Sequence, residues 1–201
     1  MANHVNSYIS VDSEMNENAQ AWWNKFCEAW SSEHEDAQEH AIKMLYPDAE
    51  YEPMRGFYVD HIGAKWITYE DSDSDFISFT TAWSSPETMF DEIASKLYSF
   101  DGDVKISMVY EDEMPNFVGY RAFYREEFDE LEFHDGDYGD IVEGFKDHET
   151  LMDDQPSDYT DEEKEDVAWD LYNEQMEQFW ENWSEKSGSW IQDFYESMDA
   201  L

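Results

Sequence analysis

Between Thr160 and Lys186 acids and aromatics recur at helical spacing. Glu163, Asp166, Asp170, Glu174, Glu177, Glu181 and Glu185 follow one another in steps of three and four, so at about 100° per residue they share one face. Trp169, Leu171, Tyr172, Met176, Phe179, Trp180 and Trp183 spread over the other. Thr160 with Glu163 is a capping-box start. No Gly or Pro intervenes before Gly188, which predicts a helix of roughly 40 Å at 1.5 Å per residue. Gly188 is expected to end it. Ser189 then caps a last helix with Trp190, Ile191, Phe194, Tyr195 and Met198 on its apolar side.

The rest of the chain reads as alternating strands and amphipathic helices. His4 to Val11 alternates as a strand, and a helix runs from Ser13 to about Ser31 with Trp22, Trp23, Phe26 and Trp30 on its apolar face. A shorter helix fits His34 to Leu45, stopped by Pro47, and 48–63 reads as irregular around Pro53 and Gly56. Strands are expected at Lys65–Glu70, Phe76–Ala82, Val104–Tyr110 and Phe117–Tyr124, the last after a turn at Pro115-Asn116. Ser85 as cap and Pro86 at the first helical position open a helix with Phe90, Ile93 and Leu97 inward, ending near Asp101-Gly102. The segment 125–133 is compatible with a further strand. A turn at His134–Gly139, a short helix at Ile141–Met152 and a joint at Gln155-Pro156-Ser157 lead to the long helix.

The order β-α-β-β-α-β plus an extra strand predicts an α+β fold. Its plan is a ferredoxin-like split βαβ antiparallel sheet with helices on one face, followed by an acidic helical C-terminal extension. The expected domains are 1–125, with a helical insert near 34–60, and 126–201.

Particular residues in the first part also match a family. His61-Ile62-Gly63-Ala64-Lys65-Trp66, Phe79-Thr80-Thr81-Ala82-Trp83-Ser84-Ser85-Pro86 and Asn116-Phe117-Val118-Gly119-Tyr120 resemble the motifs of phage- and plasmid-borne proteins with a YubB-type ferredoxin-like domain. The opening Met1-Ala2-Asn3-His4 is similar too. The resemblance covers about 1–125 and implies the core fold and a mobile-element, phage origin; it brings no activity. The insert at 34–60 and the C-terminal third depart from it. "Ferredoxin-like" names a shape here, since one cysteine cannot ligate a Cys₄ iron–sulfur cluster.

Charge changes the picture most. The formal net charge is −40, from 51 acidic and 11 basic residues, yet 17% of the chain is aromatic, ample for a packed core. Such a chain repels nucleic acid and anionic membrane surfaces, so its expected partners are basic. Cys27 is the only cysteine, which excludes a disulfide framework and a Cys-based zinc site. With no signal-peptide pattern and no long apolar run, a cytoplasmic protein is expected.

Catalytic chemistry finds little footing. The six His form no HExxH, and His34 and His40 are six apart, off a common helix face. No GxSxG, Walker loop or GxGxxG is present. With 51 acids, close carboxylate pairs arise by chance. Asp71, Asp73 and Asp75 copy the first spacing of an EF-hand, but Phe76 stands where that loop needs Gly and no Glu closes it. Asp135, Asp137 and Asp140 carry the same discount. No enzyme, cofactor or metal site is therefore expected.

A solvated face is the ordinary meaning of a charge run, and salt adaptation the ordinary meaning of an acidic surface. Here Lys outnumbers Arg and Trp and Tyr abound, which speaks against the latter. A one-signed surface costs stability through self-repulsion, and imitation of a polyanion is a function that rewards it. The expected function is thus a phage-encoded DNA mimic that inhibits a host DNA-binding protein, foremost a restriction or other anti-phage defence nuclease. The alternative is a takeover adaptor that grips RNA polymerase or a nucleoid protein through an aromatic patch. The expected partner-binding residues are Asp153, Asp154, Asp158, Glu163, Asp166, Asp170, Glu174, Glu177, Glu181 and Glu185. Duplex DNA carries a charge per roughly 1.7 Å of axis, whereas this row carries one per about 5–6 Å. It is about threefold too sparse, so more acidic faces, or a homodimer with Trp169 and Trp180 at its seam, are needed to match the duplex.

Overall fold

The structure, a computed structural model, describes residues 3–12, 14–113 and 116–201. The expected helix start at Ser13, Pro115 of the expected turn, and Met1-Ala2 lie outside them. The fold is α+β. Strands β1 (His4–Val11), β2 (Ile67–Ser72), β3 (Phe76–Ala82), β4 (Ile106–Asp112), β5 (Phe117–Tyr124) and β6 (Glu127–His134) form one open sheet in the order β2-β3-β1-β4-β5-β6. Central β1 runs antiparallel to both β3 and β4, as β2 does to β3 and β5 to β4. The two-residue loop Arg125-Glu126 joins β5 to β6 with both residues at positive φ, 50° and 69°, the twist a tight hairpin turn needs.

Alternation places Val5, Ile9, Ile77, Phe79, Ile106 and Met108 on one face of the sheet. Helices α1 (Glu17–Ser31), α2 (Ala37–Leu45), α3 (Arg55–His61) and α4 (Glu87–Tyr98) supply the rest of one buried cluster there, including Trp23, Phe26, Trp30, Ile42, Phe57, Phe90 and Leu97. Trp30 meets Phe79 edge-on at 4.9 Å. The Asn16 side chain caps α1, accepting from the backbone N–H of Asn18 and Ala19.

β2 and β4 each lie two residues further along than expected and α2 starts at Ala37, and three further differences have local reasons. The 48–63 stretch holds α3, whose Phe57 and Tyr58 are buried; burial outweighs the Gly56 penalty in its first turn. Ser85 does not cap α4, because Pro86 takes the cap position and the Ser85 hydroxyl turns to Glu87 Oε1 at 3.1 Å. The helix expected at Ile141–Met152 is shorter. A 3₁₀ helix occupies Asp135–Asp140, and α5 spans His148–Asp153 under an Asp147 cap.

The expected break at Gly188 is absent. One helix, α6, runs from Asp161 to Asp199 over 39 residues. Its buried positions Phe179, Trp183, Ser187, Ile191 and Tyr195 lie four apart, so packing holds the turn on both sides of the glycine. That packing overrides a propensity penalty of about 1 kcal/mol.

The chain divides into two compact units, 1–132 with 191–201, and 133–190. In the first, the end of α6 meets the sheet face opposite α1–α4. Tyr195 packs edge-on to Tyr124, and Asp199 accepts hydrogen bonds from the Tyr124 hydroxyl at 2.5 Å and Lys105 Nζ at 3.0 Å. These donors hold the Asp199 carboxyl below its usual range, while burial and Asp199 push the Tyr124 phenol up to about 12.

Candidate functional site

The acidic face belongs to the second unit. Its core is Phe133, Tyr138, Ile141, Val142 and Leu151 against Ala168, Met176, Phe179 and Trp183 of α6. Tyr138 lies 4.3 Å from Phe179, and Phe133 is edge-on to Trp183 at 6.2 Å. Polar ties fix the helix about its axis: Asn182 donates to the Ile141 carbonyl at 3.1 Å, Lys186 to the Asp140 carbonyl at 2.6 Å, and Gln175 accepts from the Lys146 N–H at 2.9 Å. With one side anchored, the opposite side is turned to solvent.

That outer side carries the row. Glu163, Asp166, Asp170, Glu174, Glu177, Glu181 and Glu185 are all exposed, as are Asp153, Asp154 and Asp158 before the helix. From the rise per residue the row is about 33 Å long, with one carboxylate per about 5.5 Å. Two of these ten acids have work inside the unit. Glu163 closes the capping box, accepting from the Thr160 N–H and hydroxyl at 2.8 Å each, which hold its carboxyl below the usual range. Asp154 takes Lys146 Nζ at 2.6 Å. Lys146 and Lys186, two of the unit's three lysines, are thus spent on internal bonds, which leaves the row's negative charge nearly unopposed.

The row ends for a visible reason. The positions that continue its phase beyond Glu185 are Ser189 and Gln192, exposed but uncharged, then Tyr195, which is buried, and Asp199, which is bonded to Lys105 and Tyr124.

The aromatic side is not all core. Met176, Phe179 and Trp183 are buried, Tyr172 and Trp180 half-buried, but Trp169 is 47% and Leu171 38% exposed. The Trp169 ring lies 4.1 Å from that of His148 of α5, tilted to it by 34°. That pairing had no sequence signal, because the two residues come together only when α5 folds onto α6. The exposure of Leu171 follows from its position, about 80° round the helix from Glu163 and on the open flank of the row.

Among the described residues no three His, Cys, Asp or Glu side chains group to hold a metal ion. The Asp71 and Asp73 carboxylates accept from the next backbone N–H in their own turn, at 2.9 and 2.7 Å. Burial pushes the Cys27 thiol up to about 12, away from nucleophilic use. Among the described residues no helix is long and apolar enough to cross a membrane.

No family model matches the chain, and no curated protein does. Among solved structures it is similar to the crystal structure of a protein api92 from Yersinia pseudotuberculosis, of the family DUF1281, at 13% identity and a TM-score of 0.32. The likeness covers 61% of this chain and 57% of that one, little more than half its length, and carries no inference about function.

Proposed function

We propose that this chain is a phage-encoded acidic mimic of nucleic acid that occupies the basic cleft of a host DNA-binding protein and inhibits it, with a restriction or other defence nuclease as the first target. The observation that carries the reading is the unopposed row of exposed carboxylates on α6, held outward by a packed opposite side. Carboxylates in a row offer cationic side chains what phosphates offer, so the mimic displaces an electrostatic ligand and acts without binding nucleic acid itself. Its place of action is the host cytoplasm. The chain order and the sheet order β2-β3-β1-β4 are those of a split βαβ plan extended by β5 and β6, which supports the ferredoxin-like reading of the first part.

The exposed Trp169 favours one second reading, an adaptor that grips RNA polymerase or a nucleoid protein through an aromatic patch. Salt and substitution separate the two. Each exposed ion pair is worth about 0–1 kcal/mol, so single neutralisations in the row should weaken nuclease inhibition by less than about fivefold. Glu174→Gln, Glu177→Gln, Glu181→Gln and Glu185→Gln together should abolish it, and the wild type should lose potency steeply with salt. Inhibition that survives the fourfold variant rejects the mimic. Wild-type potency that hardly changes with salt and is abolished by Trp169→Ala alone selects the adaptor.

A further inference from the structure

The row and its aromatic flank, taken together, restrict the cleft. Duplex DNA presents two strands, each with a charge per about 3.4 Å of axis. The α6 row is single and has one per about 5.5 Å. A strand released from the duplex is drawn out, because its sugar–phosphate contour per nucleotide exceeds the rise of a stacked base pair. Its phosphates therefore lie further apart in a single file. Beside the row, Trp169 and Trp180 lie eleven residues apart on the same flank of the helix, about 16 Å along the axis, with Trp169 half exposed and Trp180 partly so. Trp169 keeps half its surface open while its ring touches those of His148, tilted at 4.1 Å, and Tyr172, edge-on at 5.8 Å. A file of negative charge with flat rings along one side has the layout of single-stranded nucleic acid, whose grooves combine cations for the backbone with aromatic or apolar slots for the bases.

We propose, resting on the mimic reading above, that the partner is a protein with a single-strand nucleic-acid channel, and that Trp169 enters a base slot of that channel while the carboxylate row lies along its cations. Charge complementarity sets the direction of the row, and the indole supplies the part of the affinity that salt does not screen.

The full chain is titrated, at about 0.05 M salt, against purified single-strand binders of one host (its single-strand-binding protein, a helicase and a single-strand exonuclease) and against a duplex-cutting restriction nuclease. Oligothymidylate and a duplex of equal length serve as competitors. The expected result is binding to a single-strand member, displaced by oligothymidylate in preference to duplex. Trp169→Ala should weaken it roughly tenfold without changing its salt dependence, and Trp169→Phe should restore it. Binding only to the duplex nuclease overturns this inference and leaves the polyanion reading standing. Binding to neither class overturns both. Binding to a single-strand member that is indifferent to Trp169→Ala overturns the base-slot assignment.

Discussion

One close approach in the sheet lies between two residues paired across strands. Gly119 of β5 faces Tyr110 of β4, and a β-carbon at Gly119 would stand 2.3 Å from the Tyr110 hydroxyl oxygen and 2.4 Å from the ring carbon that bears it. That ring is buried and its hydroxyl donates to Glu132 of β6 at 2.9 Å, so it cannot swing aside freely. Gly119→Ala should therefore destabilise the fold by about 1–3 kcal/mol, read as a lower urea midpoint at unchanged slope. Tyrosine-to-carboxylate bonds recur nearby: Tyr120 donates to Asp129 at 2.5 Å, which ties β5 to β6. Arg121 works the opposite face, gripping Asp91 of α4 with two nitrogens and also pairing with Glu130. Acids in this part of the chain are fasteners, unlike those of the α6 row. Sequence alone does not separate the two kinds, because the difference lies in which donor the fold brings opposite each carboxylate.

At the scale of elements, the continuity of α6 makes a specific prediction. Gly188 has open space around its α-carbon, and its backbone is helical. Gly188→Ala should thus add helix propensity without a clash, raising stability by up to about 1 kcal/mol in a thermal or urea melt. The strands were the most legible elements. β1, β3 and β5 begin and end where the pattern puts them: burial alternates along β1, whereas β3 and β5 are buried on both faces and read as short apolar runs. The capping box at Thr160 was equally plain, because both partners are local. What could not be read was set by tertiary contact. Gly56 and Gly188 signal breaks, but Phe57 and Tyr58 in one case and Ser187 and Ile191 in the other are buried and hold the helix. For the candidate site, periodicity gave the row itself. It did not reveal that Trp169 and Leu171 stay exposed, which depends on what α5 and the 3₁₀ segment cover.

For the whole molecule, electrostatics dominates the response to solution conditions. At a formal charge of −40 self-repulsion outweighs the ion pairs on the surface, so raising NaCl from about 0.05 to 0.5 M should raise Tm. A fall would mean that pairs such as Lys105–Asp199 and Arg125–Asp103 outweigh the repulsion. The alkaline limb follows from the phenols. Burial, with neighbouring carboxylates, raises the pKa of Tyr46, Tyr110 and Tyr120, and burial raises that of Tyr195. The folded state thus favours the neutral phenol. Its stabilisation is complete below the unfolded value of about 10 and is lost as pH rises above that value, because the unfolded chain ionises first. Tm should accordingly fall from about pH 9.5 upward, with phenolate absorbance appearing together with unfolding.

Because exposed, uncharged Ser189 and Gln192 follow Glu185 in phase, ahead of buried Tyr195, the row's reach ends at Glu185. Under the single-strand inference it therefore works as a ruler. At the row's own spacing of about 5.5 Å a drawn-out strand covers the same 33 Å or so with about six or seven nucleotides, so oligonucleotides of that length should already displace the protein.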